Sequence, residues 1–174
     1  MKQLTHWIHE RVPEDTDLDR PALVDLVLEL AGMPRFWRRF VRHDPTSRHF
    51  VQLYRDPHLD VWLICWLDAQ DTGYHDHDVS AGAVHVVEGT LYEDHLERGP
   101  DGWMREMTRE HRPGSVFDFD SSYIHGVRHA GGPPATSLHA YSPALWRMGH
   151  YEPGTTGALG RLSITYADEL ASAG

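Results

Sequence analysis

The sequence contains a single cysteine, so it can form no internal disulfide. That residue, Cys65, lies in the apolar segment 61–66 (VWLICW), which predicts a buried strand rather than an exposed thiol site. A chain without disulfides suits the reducing conditions of the cytoplasm.

Positive charge is also scarce, with 16 Lys and Arg against 26 Asp and Glu and a formal net charge of -10. This balance repels phosphate groups, so it argues against nucleic acid and anionic membranes as partners. No apolar run reaches the roughly 20 residues that a membrane-spanning helix needs. The first residues lack the apolar stretch and cleavage site of a signal peptide. We therefore expect a soluble, cytoplasmic protein.

The length of 174 residues suits one substantial core, and we predict a single domain over residues 1–174. Apolar residues recur at helical spacing between 19 and 32, and a short aromatic-rich helix is expected over 34–41. After His43 the sequence changes to short β-rich runs separated by turn residues such as Gly, Pro and Asp.

Many short strands after two helices predict a mainly β fold, closed into an antiparallel barrel that leaves no exposed sheet edge. The predicted parts are an N-terminal helical segment at 1–43, the β-barrel at 44–151 and a C-terminal tail at 152–174. Within this tail only LGRLSITYADEL hints at order, and we expect it to cover the barrel or to be partly mobile. One core predicts one main site.

Histidine is abundant, with 14 residues, and imidazole is the commonest protein ligand for transition metals. His75 and His77 are separated by one residue, so on a strand both side chains lie on the same face and can bind one ion. About fifty residues later, His125 follows a turn and a β-rich run. In an antiparallel barrel this segment can return beside the first and supply a third imidazole.

The segment around the first two histidines resembles the first motif of the cupin superfamily, which spaces a His-x-His pair between glycines and follows it with a glutamate. His75, His77 and the closing Gly89 match this motif. The glutamate position holds Gly82, and the leading glycine is replaced by Ala69.

The segment around the third histidine resembles the second cupin motif, in which a glycine precedes a Pro-x-Gly turn and a histidine. Gly114 and His125 match with the correct spacing, whereas Asp120 and Ser122 replace the proline and glycine. The two motifs in the right order imply a cupin fold, the double-stranded β-helix or jelly-roll barrel.

The missing glutamate is informative, because most cupins bind metal through three His and one Glu whereas the cysteine dioxygenase family keeps three imidazoles. The segments HDHDVSAGAVHVVEGTLYE and TSLHAYSPAL also resemble that family. The resemblance implies a non-haem iron(II) (Fe2+) enzyme that adds both atoms of O2 to the sulfur of a small thiol, giving a sulfinic acid. Nickel, manganese or zinc can also bind three imidazoles.

Ser137, His139 and Tyr141 alternate along the second segment, so on a strand they share one face and can form a hydrogen-bonded relay. The resemblance implies that the Tyr141 hydroxyl lies near the iron-bound substrate and oxygen, with His139 and Ser137 ordering it. In animal members a cysteine at the position of Gly82 crosslinks to the tyrosine, so Tyr141 should be uncrosslinked. A polar-faced strand without a catalytic role is the alternative interpretation.

Substrate choice is less clear. Cysteine-specific members of the family have a Tyr-x-Arg segment whose arginine binds the substrate carboxylate, and here Phe50, Val51 and Gln52 occupy that segment. A neutral amide binds a carboxylate more weakly than a guanidinium does. Arg55 lies close enough in sequence to replace it if the loop is shifted. A related branch that oxidises 3-mercaptopropionate also uses glutamine.

Four aromatic residues, Phe50, Trp62, Trp66 and Tyr74, lie near the predicted site along the sequence. Ordinary core packing is the simpler interpretation. If some of them face the cavity, their rings could bind a cationic or bulky thiol, including a betaine such as ergothioneine.

The sequence thus predicts an oxidoreductase that binds a small-molecule thiol and O2, as a monomer or weak homodimer. Two alternatives stay open: a cupin oxygenase that acts on carbon, and a cupin that binds a small molecule without catalysis.

Overall fold

The computed structural model describes residues 2–13, 15–98, 100, 104–153 and 159–165. The helices are α1 (Lys2–His9), α2 (Arg20–Ala31) and α3 (Pro34–Trp37), followed by a 3-10 turn at Arg38–Phe40. The strands are β1 (His49–Arg55), β2 (Asp60–Trp66), β3 (Tyr74–Asp76), β4 (Ala81–Glu88), β5 (Leu91–Arg98), β6 (Met104–His111), β7 (Val116–Phe119), β8 (His125–His129), β9 (Ala135–Ser142), β10 (Arg147–Pro153) and β11 (Leu159–Thr165).

The strands form two antiparallel sheets. One sheet has five strands in the order β1-β2-β9-β4-β7, and the other has six in the order β11-β10-β3-β8-β5-β6. Apolar side chains of both sheets pack together between them, among them Trp66 and Val84 from the first sheet and Leu91, Val127 and Met148 from the second. The prediction of a mainly β fold with N-terminal helices is confirmed.

Helix α2 agrees with the predicted helix over 19–32. The Asp19 carboxylate accepts a hydrogen bond from the Ala22 amide at 3.0 Å, which caps the first turn. The residues that bury its apolar face are Leu23, Leu26, Val27 and Leu30. This face packs on the outer side of the five-stranded sheet.

The helix expected over 34–41 is shorter, because α3 ends at Trp37 and the chain continues as a 3-10 turn. The Trp37 indole N–H donates to the Leu30 carbonyl at 3.0 Å and thereby ties this segment to the end of α2. Helix α1 was not among the expected elements, although Leu4, Trp7 and Ile8 have the spacing of an apolar helix face and are buried.

Strand β2 is buried along its whole length, because helices cover one face of its sheet and the second sheet covers the other. Leu63 and Cys65 face the helices, whereas Ile64 and Trp66 face the interior between the sheets. The predicted burial of Cys65 is confirmed, and burial raises the pKa of its thiol. Residues at even positions of β2 therefore point towards the interior, where the predicted site lies.

The strands β6, β10 and β11 were not evident in the sequence. Strand β6 is polar along most of its length and forms one edge of its sheet. Strand β11 lies in the segment expected to be a covering tail, and pairs with β10 from Arg147 opposite Thr165 to Pro153 opposite Leu159. None of the helices in the described part of the chain is long and apolar enough to cross a membrane.

Candidate metal centre and its cavity

The three predicted metal ligands meet in the interior between the sheets. His75 lies on β3, His77 follows that strand directly, and His125 begins β8 as the register partner of His75. Their candidate ligand atoms all lie within 4.8 Å of one another, and all three side chains are buried. The ring centroids are 4.8 Å apart for His75 and His77, 4.8 Å for His75 and His125, and 5.2 Å for His77 and His125.

The hydrogen bonds of these rings leave nitrogen atoms available for a metal. His75 donates through Nδ1 to the Gly73 carbonyl at 3.1 Å, and His125 donates through Nδ1 to the Glu93 carboxylate at 2.9 Å, which leaves Nε2 of each ring as the ligand atom. Neither ring nitrogen of His77 has a hydrogen-bond partner among the described residues. A buried polar group without a partner costs about 1–3 kcal/mol, and a bound metal ion removes that cost.

Burial also sets the protonation state of the cluster. It lowers the pKa of His75 and of His77 well below the ordinary value, and the neighbouring histidines lower them further. Both rings are therefore neutral, which is the form that binds a metal ion. Neutral imidazoles suit a divalent transition metal such as iron(II).

Glu93 orients the third ligand. Its carboxylate accepts from His125 Nδ1 through one oxygen and from His111 Nε2 through the other, both at 2.9 Å. Burial raises the pKa of this carboxyl, but the hydrogen bonds from His111 and His125 outweigh burial and bring the pKa to about 2. Glu93 was not among the residues predicted from the sequence; its available signal is an acid at an inward position of β5, two residues after the buried Leu91.

The position where most cupins keep a glutamate has no room for a side chain. A Cβ on Gly82 would lie 2.3 Å from the Phe119 ring and 3.1 Å from the Tyr141 ring. The Phe119 ring stacks on His77 with 4.3 Å between centroids, so it fills the space that a fourth ligand would need.

Ser137, His139 and Tyr141 lie on β9 and form the relay that their alternation indicates. Ser137 Oγ is 2.7 Å from His139 Nε2, and His139 Nδ1 is 3.1 Å from the Tyr141 hydroxyl. Trp66 donates to Ser137 Oγ at 2.9 Å. Burial lowers the pKa of His139 to about 3, with smaller effects from His125 and Arg48, so this ring is neutral.

A neutral His139 carries one ring hydrogen, and in one of its two tautomers that hydrogen points to Tyr141. With Ser137 donating its hydroxyl hydrogen to Nε2, His139 carries its own hydrogen on Nδ1 and donates it to the Tyr141 oxygen. The hydroxyl hydrogen of Tyr141 can then be donated towards the cavity. The Tyr141 ring lies 5.3 Å from that of His77, so the relay ends beside the histidine cluster.

One cavity joins the histidine cluster and the relay. The volume open to the centre of a water molecule is about 30 Å³, which is enough for a few waters. The residues that line it are Arg48, Phe50, Ile64, Trp66, Thr72, His75, Val84, Phe119, His125, Val127, His139, Tyr141 and Met148. The site is thus small and mostly apolar, with polar groups contributed by both sheets.

The residues predicted to bind substrate separate into two groups. Phe50 and Trp66 line the cavity, whereas Gln52, Arg55 and Tyr74 are not among the residues that line it. Tyr74 precedes His75 on β3, so its side chain points to the opposite face of the sheet.

Gln52 and Arg55 are both bound to Asp60, a fully buried carboxylate. The Gln52 amide donates to Asp60 at 3.0 Å, and Arg55 donates to Asp60 and to the Leu145 carbonyl, the latter at 3.1 Å. Burial raises the pKa of Asp60 to about 6, against the opposing effect of Arg55 and of hydrogen bonds from Trp62 and Gln52. Contact of Gln52 or Arg55 with a substrate stays a prediction.

Arg48 was not identified by the sequence analysis. Among the described residues that line the cavity, it alone carries a permanent charge. Its side chain is 6% exposed, its guanidinium carbon lies 5.0 Å from the centre of the Trp66 ring, and it donates to the Asp71 carbonyl. The available signal was the alternation of residues 48, 50 and 52, which places Arg48 on the same face as Phe50.

Comparisons with known proteins agree with this architecture. The family described as cysteine dioxygenase type I matches residues 4–153 of the chain. A search of curated proteins gave no match.

Similar solved structures include a protein from Thermus thermophilus, at 22% identity over 61% of this chain and 92% of that chain, with a TM-score of 0.49. They also include an oxalate oxidase in complex with the substrate analogue glycolate, at 13% identity over 63% of this chain and 59% of that chain, with a TM-score of 0.51. At these identities the likeness concerns the fold, and the predicted cupin fold is confirmed.

Proposed function

Since the chain belongs to the cysteine dioxygenase type I family, we propose that it is a non-haem iron(II) thiol dioxygenase. In the reaction, both atoms of one O2 form bonds to the sulfur of a small thiol, and the product is the corresponding sulfinic acid. Sulfur supplies the electrons, so no external reductant is needed. The observation that carries the proposal is the convergence of three buried imidazoles beside the Tyr141 relay, with His75, His125, His139 and Tyr141 lining one cavity.

The three histidines would hold the metal, since their nitrogen atoms converge and His77 has no other partner among the described residues. Three protein ligands leave part of an octahedral coordination sphere open, and the chemistry that iron(II) supplies there is binding of the thiolate and activation of dioxygen.

The residues of the chain prepare this site for the reaction. Tyr141 donates a hydrogen bond to the group bound beside the histidines, and His139 and Ser137 hold its hydroxyl in that orientation. The apolar walls, among them Phe119, Val127 and Met148, exclude water.

We assign the recognition of the substrate's polar end to Arg48. A guanidinium forms charge-assisted hydrogen bonds to a carboxylate, and this side chain lies in the cavity with the metal ligands. The small volume favours a short mercaptocarboxylate, such as cysteine or 3-mercaptopropionate, over a bulky thiol such as ergothioneine. Iron(II) as the metal and cytoplasm as the location are parts of the same proposal.

The function is tested by aerobic incubation of the iron-loaded protein with cysteine, 3-mercaptopropionate, cysteamine, 2-mercaptoethanol and ergothioneine. We expect thiol-dependent oxygen uptake, and a sulfinic acid identified by mass spectrometry. A product with oxygen added to carbon would refute the thiol dioxygenase and indicate an oxygenase that acts on carbon. Tight retention of a ligand without oxygen uptake would indicate a binding protein instead.

Arg48→Gln should raise the KM for thiols that carry a carboxylate by about 10-fold to 100-fold, because a charge-assisted hydrogen bond contributes about 1.5–3 kcal/mol. The kcat should change little, and the kinetics with cysteamine, which has no carboxylate, should stay close to those of the wild type. Steady-state oxygen uptake across both kinds of thiol measures this.

Arg42→Gln is the control, since Arg42 is exposed and bound to Asp44 at 2.6 Å. A rise in KM in Gln52→Ala, with no change in Arg48→Gln, would indicate that Gln52 rather than Arg48 binds the substrate carboxylate.

A further inference from the structure

Asp76, the last residue of β3, lies between His75 and His77 and points away from them. Because side chains alternate along a strand, His75 and His77 face the cavity while Asp76 faces the hairpin of β10 and β11. The Asp76 side chain is buried, so its charge needs partners.

Arg161 of β11 supplies the main partner. Its Nε donates to one oxygen of Asp76 at 2.7 Å and its NH2 donates to the other at 2.8 Å, which is a bidentate, charge-assisted pair. The Tyr151 hydroxyl donates to Asp76 at 2.6 Å, and the Gly149 amide donates at 3.1 Å. Both residues belong to β10, so the whole hairpin converges on this one carboxylate.

The backbone is shaped to admit the pair. A Cβ on Gly149 would lie 2.2 Å from Arg161 Nε and 2.6 Å from the Asp76 carboxylate. A glycine here lets the guanidinium lie directly over the β10 backbone, and any other residue would displace it. Gly149 therefore leaves the space that the pair occupies, although the Arg161 side chain itself is 35% exposed.

Strand β3 needs such support, because it is only three residues long. It has three register pairs with β10 and a single pair with β8, His75 opposite His125. So short a ladder fixes the strand weakly, and the direction of both metal ligands depends on what holds Asp76.

We propose that Arg161 is a positioning residue for the metal centre: its bidentate pair with Asp76 fixes β3 so that His75 and His77 point at one ion. This rests on the proposed metal-binding role of the three histidines. The family match ends at residue 153, and Arg161 lies beyond it on β11.

The test uses the full chain with iron(II) added under anaerobic conditions. We measure the dissociation constant for iron(II) by competition with a chelator, and the melting temperature with and without the metal. Arg161→Gln should weaken iron(II) binding by about 10-fold to 100-fold, the range for residues that orient metal ligands. Arg161→Lys, which keeps the charge but loses the bidentate geometry, should fall between this variant and the wild type.

The rise in melting temperature on adding iron(II) separates positioning from simple stabilisation. A residue that only stabilises the fold lowers both melting temperatures equally, whereas a positioning residue also reduces the rise, because the metal binds the folded state less tightly. Arg147→Gln is the matched control. Arg147 also lies on this hairpin and contacts Asp78 at 3.4 Å, as Arg161 does, but it makes no pair with Asp76 among the described contacts; its loss should leave both the affinity and the rise unchanged.

Wild-type affinity in Arg161→Gln, or a rise equal to that of the wild type, would overturn the inference. If Arg161→Gln does not fold, Tyr151→Phe removes one hydrogen bond to Asp76, and we expect a several-fold weaker binding; wild-type affinity in that variant and in Arg161→Lys would likewise overturn it. If the wild-type protein itself does not bind iron(II), the result would instead contradict the proposed function.

Discussion

His77→Ala should abolish stoichiometric iron binding and reduce thiol-dependent oxygen uptake by more than about 100-fold, since loss of a ligand exceeds the effect of losing a residue that orients one. His77 is suited to this test because its ring nitrogens have no hydrogen-bond partner among the described residues. The substitution therefore breaks no hydrogen bond within that part of the protein. The metal content of the purified protein and its oxygen uptake measure the effect.

The control is His85→Ala. His85 is also buried, but it lies on β4 next to Val84, which lines the cavity, and so points to the opposite face of the sheet, beside Trp37. This variant should keep its iron. Full iron content and activity in His77→Ala would refute the three-histidine centre.

Tyr141→Phe should lower kcat by about 100-fold or more while leaving the iron content unchanged, because the variant loses only the hydroxyl at the end of the relay. The ring stays in place, so its packing against His77 is kept. Single-turnover measurements with saturating thiol, together with metal analysis, separate the loss of chemistry from a loss of binding.

Tyr92→Phe is the matched control, since Tyr92 lies on β5 with its ring against Arg128 and is not among the residues that line the cavity. An unchanged kcat in Tyr141→Phe would mean that the relay only holds β9 together, and would favour a binding protein over an enzyme.

The grouping of the three histidines could be predicted because its signal is local. A His-x-His pair on a strand has one geometry, and the spacing of His125 from its turn matches a known motif. The relay on β9 is local for the same reason, since three residues at alternate positions of one strand must share a face.

The residues that could bind the substrate's polar end were harder to predict, because their contacts depend on pairing between strands. The sequence indicates that Gln52 and Arg55 lie near the site, but it gives no sign that both bind Asp60 on the adjacent strand. With Asp60 binding these two, Arg48 remains as the charged residue that lines the cavity. Arg48 stands alone in this way because Asp60 is buried and binds Gln52 and Arg55, and no local sequence pattern reveals that burial.

Strand β11 escaped prediction for a related reason. Its sequence, LGRLSIT, is short and partly polar, and it follows a segment rich in Gly and Thr. What fixes it is a backbone ladder with β10 and a charge pair with a residue about 85 positions earlier in the chain. Contacts between such distant positions leave no periodic signature.

The packing of Phe119 against Gly82 bears on how the chain can change over evolutionary time. A single substitution that restores an acid at position 82 would drive its side chain into the aromatic ring, whereas a smaller residue at position 119 would first leave a void beside His77. Either substitution alone is therefore harmful, and only the two together are tolerated. The two positions are therefore expected to vary together among descendants of this chain, and a shift to a metal centre with four protein ligands would need paired mutations.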